Sequence, residues 1–329
     1  MDDEKTLILT DTGLVDIPYL GTRENIKELF IDSNNIHNLW HNALPPNLER
    51  IDCAFNYISS DGLPIYWPRT IKDICLDNNN IYDTDDIVEW PQTLKILKLS
   101  NNPLQKIPRR LPHGVKKLRL RNTNIQIVEY LPEALEELDC FNSKISKIYT
   151  LSPNLKNCFL AKNYLTILPS PSVWPHGLRV LDLAFNFLKE FPKWLPDSLE
   201  HLNLGNNFIE EVPKRLPINL KILSLRKNRI HTVHTELLIR QKILVFSLAN
   251  NWLTDVPECI RNAGEDDIEQ YDLSANFLED EYDDFALKIQ RAFRHYRMRA
   301  PLRGWKRTKY LREELLAAAM HPDRYGNFF

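Results

Sequence analysis

Glycine is scarce in this chain of 329 residues, nine in all, and none of them sits in a phosphate-cradling loop. Long apolar runs are missing too. No stretch approaches the roughly 20 apolar residues that a membrane helix needs. The opening MDDEKTLILT is acidic and lacks the apolar centre of a secretory signal. The expected location is therefore intracellular and cytoplasmic. Cysteine is limited to Cys53, Cys75, Cys140, Cys158 and Cys259, an odd number without paired spacing. That argues against a disulfide framework or a zinc site and for a reducing compartment. No nucleophile elbow or other catalytic constellation is legible. The pair His231 and His234 has the spacing of metal ligands but no evident further ligand. Acidic runs at 265–267 and 279–284 lack the spacing of a calcium loop. No cofactor, metal or small-molecule substrate is expected, and no enzymatic activity.

What is present in quantity is repetition. Residues 194–209, WLPDSLEHLNLGNNFI, read L-P-x-x-L-x-x-L-x-L-x-x-N-x-L/I, and the phrase returns every 20 to 25 residues. Leu199, Leu202 and Leu204 point one way, Asn207 turns inward, and Ile209 closes the turn. So short a phrase buries its apolar face only against a copy of itself, so the chain is expected to stack into a solenoid. A truncated copy (Leu7, Leu9, Thr12, Leu14) precedes about twelve full ones, which begin at Ile26, Leu48, Ile71, Leu94, Val115, Leu135, Leu155, Leu178, Leu199, Leu220, Ile243 and Ile268. Cys53, Cys140 and Cys158 take Leu positions and read as small buried hydrophobes.

Asparagine fills the inward polar position in ten copies, for example Asn56, Asn186 and Asn228. Its amide can donate to carbonyls of adjacent turns and accept from an N–H, tying neighbours together. Thr12, Thr123 and Ser143 are the exceptions, and with one donor each they mark the fifth and sixth full copies as the least rigid of the middle. Proline, at 21, is periodic. One set (Pro45, Pro68, Pro91, Pro112, Pro132, Pro175, Pro196, Pro217) stands three residues before the first strand leucine, with Pro153 one residue late. A return path rich in proline is extended or polyproline-like, leaving one short strand per copy to form a long parallel sheet.

The strings IPRRLPHGVKKLRL and VPKRLPINLKILSLRKNRI resemble the short bacterial-type leucine-rich repeat, LPxLPxxLxxLxLxxNxL, over about residues 5–280. That resemblance implies an α/β repeat fold: a horseshoe solenoid whose concave parallel sheet binds a protein or peptide. Some bacterial members append a ubiquitin-ligase domain, for which the roughly 45 residues after the stack are too few.

Outward positions between the strand leucines decide what can bind. Early copies present Phe30, Asp52 and Phe55; the next present Lys98, Lys117, Arg119 and Arg121; then come Glu137, Asp139, Phe141 and Phe159, followed by Asp182 and Phe185. The face is banded acidic, basic, acidic and mild. It suits a protein partner with complementary bands and an apolar anchor near Phe141, Phe159 and Phe185. Phe187, Phe208, Trp252 and Phe277 follow the inward Asn and are expected in or beside the turns.

The formal charge of −2 conceals an asymmetry. Residues 285–329 hold 11 Lys/Arg against 3 Asp/Glu, a surplus of 8 that leaves −10 for residues 1–284. A basic helical tail is expected over 281–329, with Phe285, Ile289, Phe293 and Tyr296 on one face and a second helix over about 305–320. The stretch 285–302 resembles an IQ motif: Ile289, Gln290, Arg294, Arg299 and Leu302 match. His295 replaces its Gly, and Pro301 disfavours helix at Ala300. The resemblance implies a calmodulin or EF-hand light-chain-like partner, with Ile289 and Phe293 as anchors and the arginines meeting an acidic rim. Capping of the last exposed core is the other role open to the tail. Short copies joined to such a tail also resemble leucine-rich-repeat proteins of giant DNA viruses, which would place the chain in host cytoplasm. Three further readings remain: a ubiquitin-pathway substrate-recognition subunit, a ligase using Cys75 or Cys259 as the accessible thiols, and electrostatic binding of the tail to nucleic acid or anionic membrane, the last disfavoured on the acidic body.

Overall fold

A computed structural model describes residues 5–40, 43–233, 243–257, 260 and 270–278. Thirteen strands of three residues, from Thr6–Ile8 to Gln270–Asp272, form one parallel sheet in chain order. The register never slips: the central residues Leu29, Ile51, Ile74 and Leu97 face one another along the stack. A one-residue slip would turn every buried side chain outward, so the buried row enforces the register. Ile26, Leu29 and Ile31 of the first full copy, and their equivalents up to Ile243, Phe246 and Leu248, make one continuous core.

Most strands are entered through the same turn. The carbonyl of the repeating proline accepts from the N–H three residues on, as in Pro132 to Leu135 and Pro196 to Leu199, at 3.2 and 3.1 Å. Where proline is one residue late, Ser152 supplies that carbonyl to Leu155 at 3.1 Å. The return path carries 3-10 turns at Ser60–Gly62 and Pro171–Val173. Two mini-sheets pair Ile127–Val128 with Lys147–Ile148 and Glu211–Val212 with Thr232–Val233. A ring fixed at φ ≈ −65° without an N–H suits that path.

The inward amides form the second bond system. Asn186 Nδ2 donates to Leu160 O in the preceding turn and to Leu183 O in its own, each at 3.0 Å, while its Oδ1 accepts from Leu165 N at 3.0 Å. Asn56, Asn79, Asn207 and Asn228 repeat this geometry. At the two exceptional copies the hydroxyls of Thr123 and Ser143 lie 2.9 Å apart and both meet Leu120 O. The ladder continues through them with fewer bonds. The expected tail, including the IQ-like positions and the second helix, lies outside the described residues, as do Cys259 and His234.

Candidate functional site

The residue before each inward Asn adopts a left-handed conformation, which a short polar side chain tolerates best. Six turns place Asn there: Asn78, Asn101, Asn122, Asn142, Asn206 and Asn250. Phe55 and Phe185 occupy the same strained position at φ 56° and 55°, and Lys162 does so at 55°. Phe55 is 59% exposed and Phe185 half-buried. The Lys162 ammonium sits 5.2 Å from the Phe141 ring centre and 5.7 Å from that of Phe185, so three successive turns share one cation–aromatic cluster. The Arg121 guanidinium lies 5.9 Å from the Phe141 ring centre, and Phe159 is half-buried at the end of the strand between those of Phe141 and Phe185. Of the expected anchor residues, Phe141 and Phe185 thus share Lys162 between them.

The charge bands behave otherwise. Instead of standing open, they pair across neighbouring strands: Asp73 with Arg50 and Lys98 at 3.8 and 3.9 Å, and Glu137 with Lys117 and Arg119 at 3.1 and 3.3 Å. Phe30 lies under the Arg50 guanidinium at 5.2 Å. Asp139, expected on the accessible face, is 2% exposed and held by Arg121. Burial pushes its carboxyl up from the usual range against the pull of Arg121, and burial takes Asp182 up to about 7. The strand-end acids have a local task. Asp52, Asp139 and Asp182 each accept from the N–H two residues on, at 3.0, 3.2 and 3.0 Å, which closes the turn after the strand.

Cys75, expected to be accessible, is 7% exposed, and desolvation pushes its thiol up to about 12. A thiolate is the reactive form, so Cys75 is a poor nucleophile. Among the described residues no three His, Cys, Asp or Glu side chains gather as metal ligands. A cleft of ≈ 420 Å³ on the return path is lined by Tyr130, Tyr149, Glu129 and Glu133.

One feature of the surface escaped the sequence reading. The residues after the inward Asn form a row: Phe187 stacks on Phe208 and Tyr164 leans against Phe187 at a tilt, each pair with ring centres 6.0 Å apart. The Arg229 guanidinium continues the stack, 4.7 Å from Phe208 and 5.7 Å from Trp252. Phe187 and Trp252 sit beside the turns as expected, but 43% and 49% exposed. The available signal was the unbroken succession of Tyr, Phe, Phe, Arg, Trp and Phe at one repeat position.

No family model matches the chain. It is similar to the leucine-rich repeat domain of APL1B, with a TM-score of 0.69 and 21% identity over 88% of this chain and 87% of that one. The chain has the leucine-rich-repeat fold. The solenoid is also similar to a chain in the octameric complex of Latrophilin 3, Unc5D and the FLRT2 leucine-rich repeats (TM-score 0.65, 17% identity, 84% of this chain and 90% of that one). Toll-like receptor 2 of Bubalus bubalis is 32% identical over 85 residues, 26% of this chain. The match spans 11% of that receptor's length. Among the described residues no helix is long and apolar enough to cross a membrane.

Proposed function

We propose that the solenoid is a non-enzymatic scaffold that binds a protein or peptide on its sheet face, anchored at Phe141, Phe159, Phe185 and Lys162. The observation that carries this reading is Phe185, held beside Lys162 in a left-handed position that six other turns give to Asn. Holding a bulky ring there costs on the order of 1 kcal/mol, and strain of this kind persists where the side chain is put to use. Phe30 and Phe55 extend the surface toward the N-terminal end. Lys98, Lys117, Arg119, Arg121, Glu137, Asp52 and Asp139 shape it, several as paired charges, and Arg121 also faces the Phe141 ring. The similarity to a leucine-rich-repeat chain solved within a larger protein complex supports the same reading. Affinity purification with the wild type and with a Phe141→Ser, Phe159→Ser, Phe185→Ser variant of unchanged circular dichroism tests it. A partner retained equally by both proteins would refute the assignment.

The tail adds a second docking element on this reading. The matched positions Ile289, Gln290, Arg294, Arg299 and Leu302 support a calmodulin-type partner, with Phe293 as a second anchor. Pull-down by calmodulin with and without calcium, against an Ile289→Ala, Gln290→Ala control, decides it. Equal capture of the control removes the claim.

A further inference from the structure

The stacked row after the inward amides is rigid by construction. Backbone bonds from Tyr164 N to Ile145 O, Phe187 N to Leu165 O, Phe208 N to Leu188 O, Arg229 N to Ile209 O and Trp252 N to Ile230 O, all 2.8 or 2.9 Å, run alongside the side chains. Five successive turns thus hold one rack of side chains. Within it Phe187 and Phe208 stack at an interplanar angle of 25°, and Tyr164 tilts against Phe187 at 36°. Tyr164 and Phe187 are 52% and 43% exposed, and the edge of an aromatic ring is the electropositive part of its quadrupole.

Arg229 sharpens that character. Its guanidinium is clamped between Phe208 and Trp252, and no described carboxylate comes within ion-pair distance of it. A stacked guanidinium is already ordered and offers its N–H fork outward for a carboxylate or phosphate. The surrounding sequence agrees in sign: residues 155–257 hold 13 Lys/Arg against 8 Asp/Glu. The chain immediately downstream, residues 258–284, holds 11 Asp/Glu against one Lys/Arg. A basic stretch of this extent, bounded in sequence by an acidic one, fits a short acidic segment.

Spacing narrows the partner further. With gaps of 6.0, 6.0, 4.7 and 5.7 Å, five rungs span about 22 Å, the reach of about seven extended residues. Alternate side chains of an extended peptide repeat at about 6.6 Å, close to the pitch of the rungs. We propose that the edge formed by Tyr164, Phe187, Phe208, Arg229 and Trp252 is a docking strip for an extended acidic peptide with Asp or Glu at alternate positions. The strip is separate from the anchor on the sheet face and stands whether or not that anchor has a partner.

The test measures fluorescence anisotropy of a labelled Glu-Tyr alternating peptide with the full-length protein, and of a labelled oligo-dT of similar length. The variants are Arg229→Glu, Trp252→Ala and, on the sheet face, Phe159→Ala, each checked by circular dichroism. Arg229 is exposed, so its charge reversal leaves the core intact. The expected result is saturable peptide binding, weakened at least about tenfold by Arg229→Glu. It also requires weakening by Trp252→Ala and by added salt, and no effect of Phe159→Ala. Absence of peptide binding, or equal affinity for wild type and Arg229→Glu, overturns the proposal. Loss through Phe159→Ala alone moves the peptide to the sheet face and also overturns it. Tighter binding of oligo-dT than of peptide, sensitive to Arg229→Glu, assigns the strip to nucleic acid instead.

Discussion

Asp182 and Asn203 lie in register on adjacent strands and make the same bond. Each side-chain oxygen accepts from the backbone N–H two residues on, Ala184 at 3.0 Å and Gly205 at 3.1 Å. An amide therefore performs the turn-closing task without carrying a charge into the interior.

The comparison predicts the effect of Asp182→Asn. Burial raises the Asp182 carboxyl to about 7, with Asp139 adding to the shift and Arg121 opposing it. An unfolded Asp titrates near 3.9, so between about pH 4 and 7 the folded state keeps a proton that the unfolded chain has released. Stability from this group is complete below pH 4 and falls as pH rises through 7. Asp182→Asn is expected to stabilise the protein at pH 8 by about 1–4 kcal/mol and to change little at pH 4. Thermal melts of both proteins across that range check it.

The amide ladder should show unequal rungs. Asn186→Ala removes two inter-turn bonds and leaves the Leu165 N–H and Leu160 carbonyl without their partner, at an expected cost of about 3 kcal/mol. Ser143→Ala removes a hydroxyl shared with Thr123 and Leu120, and about 1 kcal/mol is expected. Urea midpoints rank the two. Amide exchange in the wild type is expected to be fastest, among inward turns of the middle, around Thr123 and Ser143.

Four of the five native thiols should be inert. Cys53, Cys75, Cys140 and Cys158 are buried, and desolvation raises each. Iodoacetamide at pH 8 is expected to leave all four unmodified until denaturant is added, as read by peptide mass mapping. Rapid labelling of Cys75 in the native protein would reopen its catalytic reading.

Two glycines should respond oppositely to alanine. A Cβ on Gly62 would lie 2.2 Å from the His37 carbonyl oxygen, against backbone that also bonds Leu39 N to Gly62 O at 2.7 Å. Gly62→Ala is expected to cost about 3 kcal/mol. At Gly177 nothing lies within 4 Å, and Gly177→Ala is expected to stabilise by about 0.4–1 kcal/mol through the unfolded chain. Denaturant midpoints separate the two.

The stack itself was legible because every copy repeats the same burial problem. Leu199, Leu202 and Leu204 are buried in the turn where the phrase put them, and Asn207 bonds to both its own turn and the one before. The prolines three residues before the strand leucines likewise recur at the strand-entry turn, with Ser152 filling the place of the late Pro153. Such features depend on residues near in sequence, so a periodic pattern records them.

Residue order alone thus determined a parallel solenoid, its inward rows and its bonded amides. Tertiary structure decided what the outward residues do. Whether Asp139 is an open charge or a buried one under Arg121, and whether Phe187 and Phe208 are separate rings or one rack, depends on neighbours some 20 residues away. Those contacts are set by the exact register of adjacent turns, and each outward side chain is free to choose between solvent and the rung beside it. A core position has no such choice, since only one side of the strand escapes water.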